Sequence, residues 1–245
     1  MNKIQWLLAL TVIISFSACK KDKDPVIPGY TCTTCATTPD ALAANDGSSK
    51  GIYKGIVLGS SGTIMFDIAN NGTTITAVMV LDGVTVNLTS SVAWVAGQPY
   101  VADFTGTLNG TPVTINFSVD LSGGTPTITS SNIPGHPSAT LAVVKETSSN
   151  LVECFEGTYS TTLPETGTFN IIILRSAGIW GGVARITGGD VTDDDDIDGT
   201  VSNNQLTMQS GAGPIVVGTL NLDQLNGSFV DSNNSTVTVT GRRTL

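Results

Sequence analysis

GIYKGIVLGSSGTIMFDIANNGTTITAVMV, residues 51–80, alternates β-branched or aromatic residues with small or polar ones in three successive segments. A period of two puts every second side chain on one face of a strand, so GIYKGIVL, GTIMFDIA and TTITAVMV each read as a half-buried strand. ADFTGTL (102–108) and PVTINFSV (112–119) continue the pattern. The turn clusters Asn70-Asn71-Gly72, Asp82-Gly83 and Asn109-Gly110 separate these segments. Asn-Gly and Asp-Gly supply the positive φ of tight hairpins, so neighbouring strands are expected to be antiparallel and the chain all-β.

The pattern then recurs. Gly51-Ile52-Tyr53 matches Gly157-Thr158-Tyr159, Gly62-Thr63-Ile64 matches Gly167-Thr168-Phe169, and Asn71-Gly72 aligns with Ala177-Gly178. Gly106-Thr107-Leu108-Asn109 returns as Gly218-Thr219-Leu220-Asn221, and Phe117 falls on Phe229, with an offset drifting from 105 to 112. Ordered matches of this kind point to two tandem meander repeats, 51–146 and 155–245, joined by a polar link at 147–154. Each has room for roughly seven or eight strands of ordinary length. A Gly-x-Tyr strand followed by a Gly-Thr-apolar strand is similar to the meanders of avidin- and lipocalin-type barrels, which implies two closed, barrel-like units. The alternative is one larger continuous barrel or sandwich to which both repeats contribute. At 6% aromatics the chain lacks the aromatic girdles of a membrane-spanning barrel.

Upstream, Met1-Asn2-Lys3 is a short positive start and Ile4–Phe16 an apolar run, too short to span a bilayer as a helix. Its length and charge order are those of a signal peptide over residues 1–18. Ser17-Ala18 offers the small residues a signal peptidase accepts, and Cys19 follows at once, ahead of Lys20-Lys21-Asp22-Lys23-Asp24. This stretch resembles the lipobox of bacterial lipoproteins, with Phe16 giving it a Bacteroidetes-type form. The resemblance implies cleavage before Cys19 and acylation of its sulfur. Two or three acyl chains, at about 0.8 kcal/mol per buried CH₂, would hold the protein on the membrane effectively permanently. A plain secreted protein cleaved near Ala18 is the other reading. Lys20, where enterobacterial lipoproteins retained at the inner membrane carry Asp, points to the outer membrane, at its periplasmic face or at the cell surface. Residues 19–50 then form a tether, stiffened by Pro25 and Pro28 and holding one short helix over Thr38–Ala44, with Thr38 as N-cap and Gly47 beyond its end.

Composition excludes some partners. The net charge is −9, and four of the eleven Lys and Arg lie in the first 23 residues, leaving seven. No basic patch for nucleic acid can be built from so few. Cys32, Cys35 and Cys154 suit an oxidising compartment. They are read as one structural disulfide, Cys32–Cys35 or one of that pair with Cys154, leaving one thiol over. A zinc site from these three with His136 is the alternative; no second closely spaced ligand pair supports it.

Among polar constellations the most informative is GGDVTDDDDIDGTVSNNQ, 188–205. Asp194, Asp196, Asp198 and Gly199 reproduce the D-x-D-x-D-G spacing of calcium loops, with Thr200 and Ser202 as further ligands. Gln205 stands where that pattern wants a bidentate Glu. The competing reading is a solvated acidic hairpin loop without an ion. Trp94, Tyr100 and Trp180 are candidate contact aromatics for a sugar or a protein if exposed, and core residues if not. His136 is the single histidine, no G-x-S-x-G occurs, and Asp67, Asp103, Glu153 and Glu156 are scattered carboxylates.

These features favour a lipid-anchored binding protein over an enzyme, with no cofactor unless calcium. Its ligand would be a small apolar molecule, a glycan or a protein partner. A structural lipoprotein with filled cores is the alternative, and a hydrolase ranks third. Mass spectrometry of the native protein's N-terminal peptide should find Cys19 acylated. An unmodified free amino terminus beyond Ala18 is the contrary result.

Overall fold

The computed structural model describes residues 29–211 and 213–245; Cys19, Pro25 and Pro28 lie outside them. The first unit comprises β1 (Gly51–Leu58), β2 (Gly62–Ile68), β3 (Ile75–Leu81), β4 (Val84–Thr89), β5 (Tyr100–Leu108), β6 (Thr111–Val119), β7 (Thr127–Asn132) and β8 (Thr140–Glu146). The second comprises β9 (Glu153–Thr161), β10 (Thr166–Leu174), β11 (Ile179–Ile186), β12 (Asp194–Ser202), β13 (Gln205–Ser210), β14 (Gly213–Asn221), β15 (Gln224–Val230) and β16 (Thr236–Arg243). The second sheet closes into a barrel through the β16–β9 ladder. The first wraps almost as far, with β8 paired to β1 and β7 left beside β8 without a ladder. Two barrel-like units therefore form, rather than one shared sheet.

Hairpin chemistry acts where the sequence places it. Asp82-Gly83 and Asn109-Gly110 take positive φ at both positions, joining β3 to β4 and β5 to β6 in two-residue turns. Asn203-Asn204 does the same between β12 and β13.

Register corrects the internal alignment. Gly55 opposes Ile64, and Gly157 opposes Phe169. Tyr53 therefore corresponds to Phe155, not to Tyr159; both are fully buried. The Gly-Thr-Leu-Asn match joins β5 to β14, and Phe117 and Phe229 lie on β6 and β15. Those strands hold different places in their meanders, so the repeated architecture is not repeated residue by residue in its second half. Small polar and β-branched residues alternate in every strand of such a sheet, which lets short matches slip by one hairpin.

The tether differs from its reading as well. In place of a helix over Thr38–Ala44 there is a single 3-10 turn at Ala43–Asn45. Tertiary bonds have taken two groups a helix would need: Leu42 N–H donates to Asn70 Oδ1, and the Asp40 carbonyl accepts from Asn70 Nδ2. From Tyr30 onward this segment is a strap lying on both barrels. Tyr30 OH donates to the Arg243 carbonyl at 2.9 Å, Cys32 N–H donates to Asp223 Oδ2 at 2.9 Å, and Asn45 Nδ2 donates to the Asn70 carbonyl at 2.8 Å.

The link at 147–154 is also more than a polar connector, because Val152 and Cys154 are buried between the barrels with Ile56, Leu58, Ile172 and Val183. Beside that cluster lies an ion pair removed from water. Lys54 Nζ is 2.7 Å from Glu146 Oε2 and 2.9 Å from Asp40 Oδ2, with Lys54 and Glu146 side chains 1% and 0% exposed. Glu146 also accepts from Asp40 N–H at 2.7 Å and Val152 N–H at 3.0 Å. Removing one partner strands the other as a buried charge, so Lys54→Ala should cost about 3–5 kcal/mol in urea unfolding. Exchanging the pair together, Lys54→Met with Glu146→Leu, should cost less than the sum of the single changes.

Candidate ligand-binding lumen of the second barrel

The opening strands of the two barrels share a register, but the interiors differ. In the first, Phe66 stacks on Phe117 at 4.6 Å, meets Phe104 edge-on at 4.9 Å, and Tyr53 closes on Phe117 at 5.1 Å. Trp94 packs on that core from the β4–β5 connection, its Nε1 donating to Ser49 Oγ at 2.8 Å. In the second barrel Ala184 and Asp195 stand opposite one another at the place where the first pairs Met79 with Val86. Ile171 likewise replaces Phe66, since each sits two residues beyond the Phe169 and Ile64 that oppose Gly157 and Gly55. Smaller side chains at matched inward positions leave a cavity of about 230 Å³. All eight strands line it, and Phe169, Ile171, Trp180, Leu206, Met208 and Val217 supply much of its wall. An eight-stranded barrel is just wide enough either to be filled or to hold one small ligand.

Glycine shapes that wall at one point. A Cβ on Gly157 would lie 2.4 Å from Phe169 Cζ, and one on Gly241 would lie 2.8 Å from it. Both positions must be bare for the ring to lie flat against the barrel wall.

The cavity has an apolar closed end and a polar mouth. Phe155, Ile173 and Leu220 pack at the closed end, where the β10–β11, β12–β13 and β14–β15 turns gather and the strap docks. At the mouth stand Tyr159, Glu165, Asp195 and Asp231. Tyr159 and Glu165 Oε1 are 3.2 Å apart, and burial, then Glu165 and Asp195, push the tyrosine hydroxyl up to about 12. Asp231 Oδ1 accepts from Asn233 and Ser235 N–H. Among the described residues no Lys, Arg or His lines the cavity.

The chain matches no family model, no curated protein and no solved structure. The lumen is thus read from its own chemistry.

The remaining candidate residues fall as follows. Asp194, Asp196 and Asp198 lie along β12, with Gly199 in mid-strand opposite Trp180, so no calcium-type loop turns there. Strand pairing with β11 holds the stretch extended. Asp194 instead accepts from Arg185 Nε and Nη2 as a bidentate pair, and Arg185 Nη1 donates to Ser138 O of the first barrel at 3.1 Å. The Asp194 bond holds the guanidinium above its ordinary range. Thr200 pairs with Thr207, and Gln205 begins β13. Among the described residues no group of three or more His, Cys, Asp or Glu converges as a metal site.

Tyr100 is buried and donates to the Val92 carbonyl at 3.0 Å, and Trp180 faces the lumen with Nε1 donating to Thr207 O at 3.3 Å. Neither is an exposed surface aromatic; the period of two turns both inward. Cys32 and Cys35 form the disulfide, and Cys154 is a buried thiol whose Sγ faces Gly55 O at 3.6 Å. Burial pushes that thiol up to about 12, so it is no nucleophile at neutral pH.

One juxtaposition had no signal in the sequence. The β7–β8 loop brings His136 Nδ1 within 3.1 Å of Ser60 Oγ, and Nε2 lies 3.6 Å from Asp82 Oδ2. The same carboxylate accepts from Ser60 Oγ at 3.0 Å. The three groups form a ring, with the hydroxyl proton directed at Asp82 rather than along a serine–histidine–aspartate relay. A wider groove of about 700 Å³ runs between the barrels past Tyr30, Ser61, Asn170 and Gln224, but Arg242 on its wall is already paired with Glu156.

Filling the lumen tests its hollowness. Ala184→Met should raise stability by about 1 kcal/mol in urea unfolding, because the added atoms enter a void. A loss of about 1–3 kcal/mol would be the signature of a core already full.

Proposed function

We propose that this is a lipid-anchored, non-enzymatic binding protein whose second barrel takes one small, largely apolar ligand. The observation that carries the reading is the contrast between a first barrel filled by stacked rings and a second with an apolar lumen of about 230 Å³. An apolar cavity of about 150 Å³ admits a single benzene ring, so this one suits a ring with a short substituent. Anchoring through Cys19, at the outer membrane, completes the proposal. The strap meets the second barrel at the end opposite the mouth, through Cys32 and Asp223. Tethered there, the mouth would face away from the lipid. The first barrel then serves as a rigid base, held to the second by the Arg185–Ser138 bond and the buried cluster around Cys154.

Titration with toluene followed by amide NMR is the direct test. Saturable shifts confined to lumen-lining residues such as Ile171, Leu206 and Val217 are expected. Leu206→Trp, which fills the lumen, should abolish them. Shifts spread equally over both barrels, or none that saturate, would overturn the reading.

A further inference from the structure

The lumen is apolar, but its mouth carries charge of a single sign. Glu165, Asp195 and Asp231 stand around it with Tyr159, and no basic side chain among the described residues lines the cavity to offset them. The nearest arginine on the adjoining strand, Arg185, is occupied by Asp194. Asp195 is the most telling of the three. Its position on β12 matches Val86 of the first barrel, which is an inward core residue there. Asp195 itself is exposed at the rim of the apolar space, with no hydrogen-bond or ion-pair partner among the described residues. A strand's alternation would ordinarily place an apolar side chain at that point. Burial first, then Glu165 and last Asp195, oppose ionisation of the Tyr159 hydroxyl, in keeping with the negative charge that these carboxylates place at the mouth.

We infer that the ligand is a cation-headed amphiphile, a compact apolar body with a protonated amine, its body in the lumen and its ammonium group at Asp195, Glu165 and Asp231. This rests on the reading that the lumen binds a ligand at all. The apolar wall supplies affinity without regard to charge, whereas the mouth discriminates: an ammonium gains from each carboxylate, a hydroxyl gains little, and a carboxylate is repelled. Fatty acids and other anionic amphiphiles are thereby excluded, although the apolar wall alone would accept them.

Three probes of nearly equal size separate the contributions: 2-phenylethylamine, 2-phenylethanol and 3-phenylpropanoate. Calorimetry on the folded protein at low salt should give the amine about ten-fold tighter binding than the alcohol, and no measurable binding of the acid. Raising the salt should narrow the gap between amine and alcohol, because charges at an open mouth are screened. Asp195→Asn should reduce the amine's advantage while leaving the alcohol's affinity unchanged. Glu165→Gln, in an exposed turn, serves as a second variant if the first misfolds. An alcohol bound as tightly as the amine, or an acid bound more tightly, overturns the charge inference while leaving the lumen a binding site. Failure of all three to bind overturns the binding reading as well.

Discussion

A lysine and a glutamate taken out of water between two sheets hold this molecule together. Lys54 leaves β1 on the outer face of the first barrel, and Glu146 ends β8 beside it. Neither charge is tolerable at that depth alone, because the desolvation of each is recovered only through its partner and through further hydrogen bonds. The glutamate meets that condition completely, accepting from Lys54 Nζ, Asp40 N–H and Val152 N–H. The strap and β1, both distant in sequence, are thereby brought to one carboxylate together with the adjoining link into the second barrel. The apolar cluster of Ile56, Val152, Cys154 and Ile172 can then exclude water beside them.

On this base the interiors of the two barrels diverge chiefly through side-chain volume. Their opening strands share a frame, as the Gly55–Ile64 and Gly157–Phe169 pairs show. What differs is the bulk at matched inward positions. Met79 and Val86 meet across the first interior, and Ala184 and Asp195 across the second. The stacked phenylalanines of the first barrel leave no room at its centre, whereas in the second Phe169 lies flat over two glycines and the middle stays open. One architecture thus supplies a solid body and a vessel.

Much of the fold was legible because the relevant signals are local. Alternation marked the strands, and Asp82-Gly83 and Asn109-Gly110 marked two hairpins through the φ angles they permit. What failed did so where a distant group competed with a local preference. Thr38–Ala44 has helical chemistry, but Asn70 claims the Leu42 N–H and the Asp40 carbonyl. The D-x-D-x-D-G spacing suits a calcium loop, yet pairing with β11 keeps it extended and Arg185 claims Asp194. Trp180 could not be assigned to surface or interior until the register of β11 was known. Tyr53 and Tyr159 both follow a glycine by two residues, yet the ladder sets Tyr53 equivalent to Phe155.

The sequence by itself determined the all-β class, the tandem pair of meanders and the net negative charge. Those properties follow from periodicity, turn residues and composition, which act within a few residues or over the whole chain. Only the tertiary structure decided which barrel is hollow, where its mouth lies, and that Asp195 rather than Asp194 faces the opening. Each of these depends on strand register, and a shift of one residue exchanges every inward side chain for an outward one. Register is set by ladders between strands far apart in sequence, above all where β16 closes on β9.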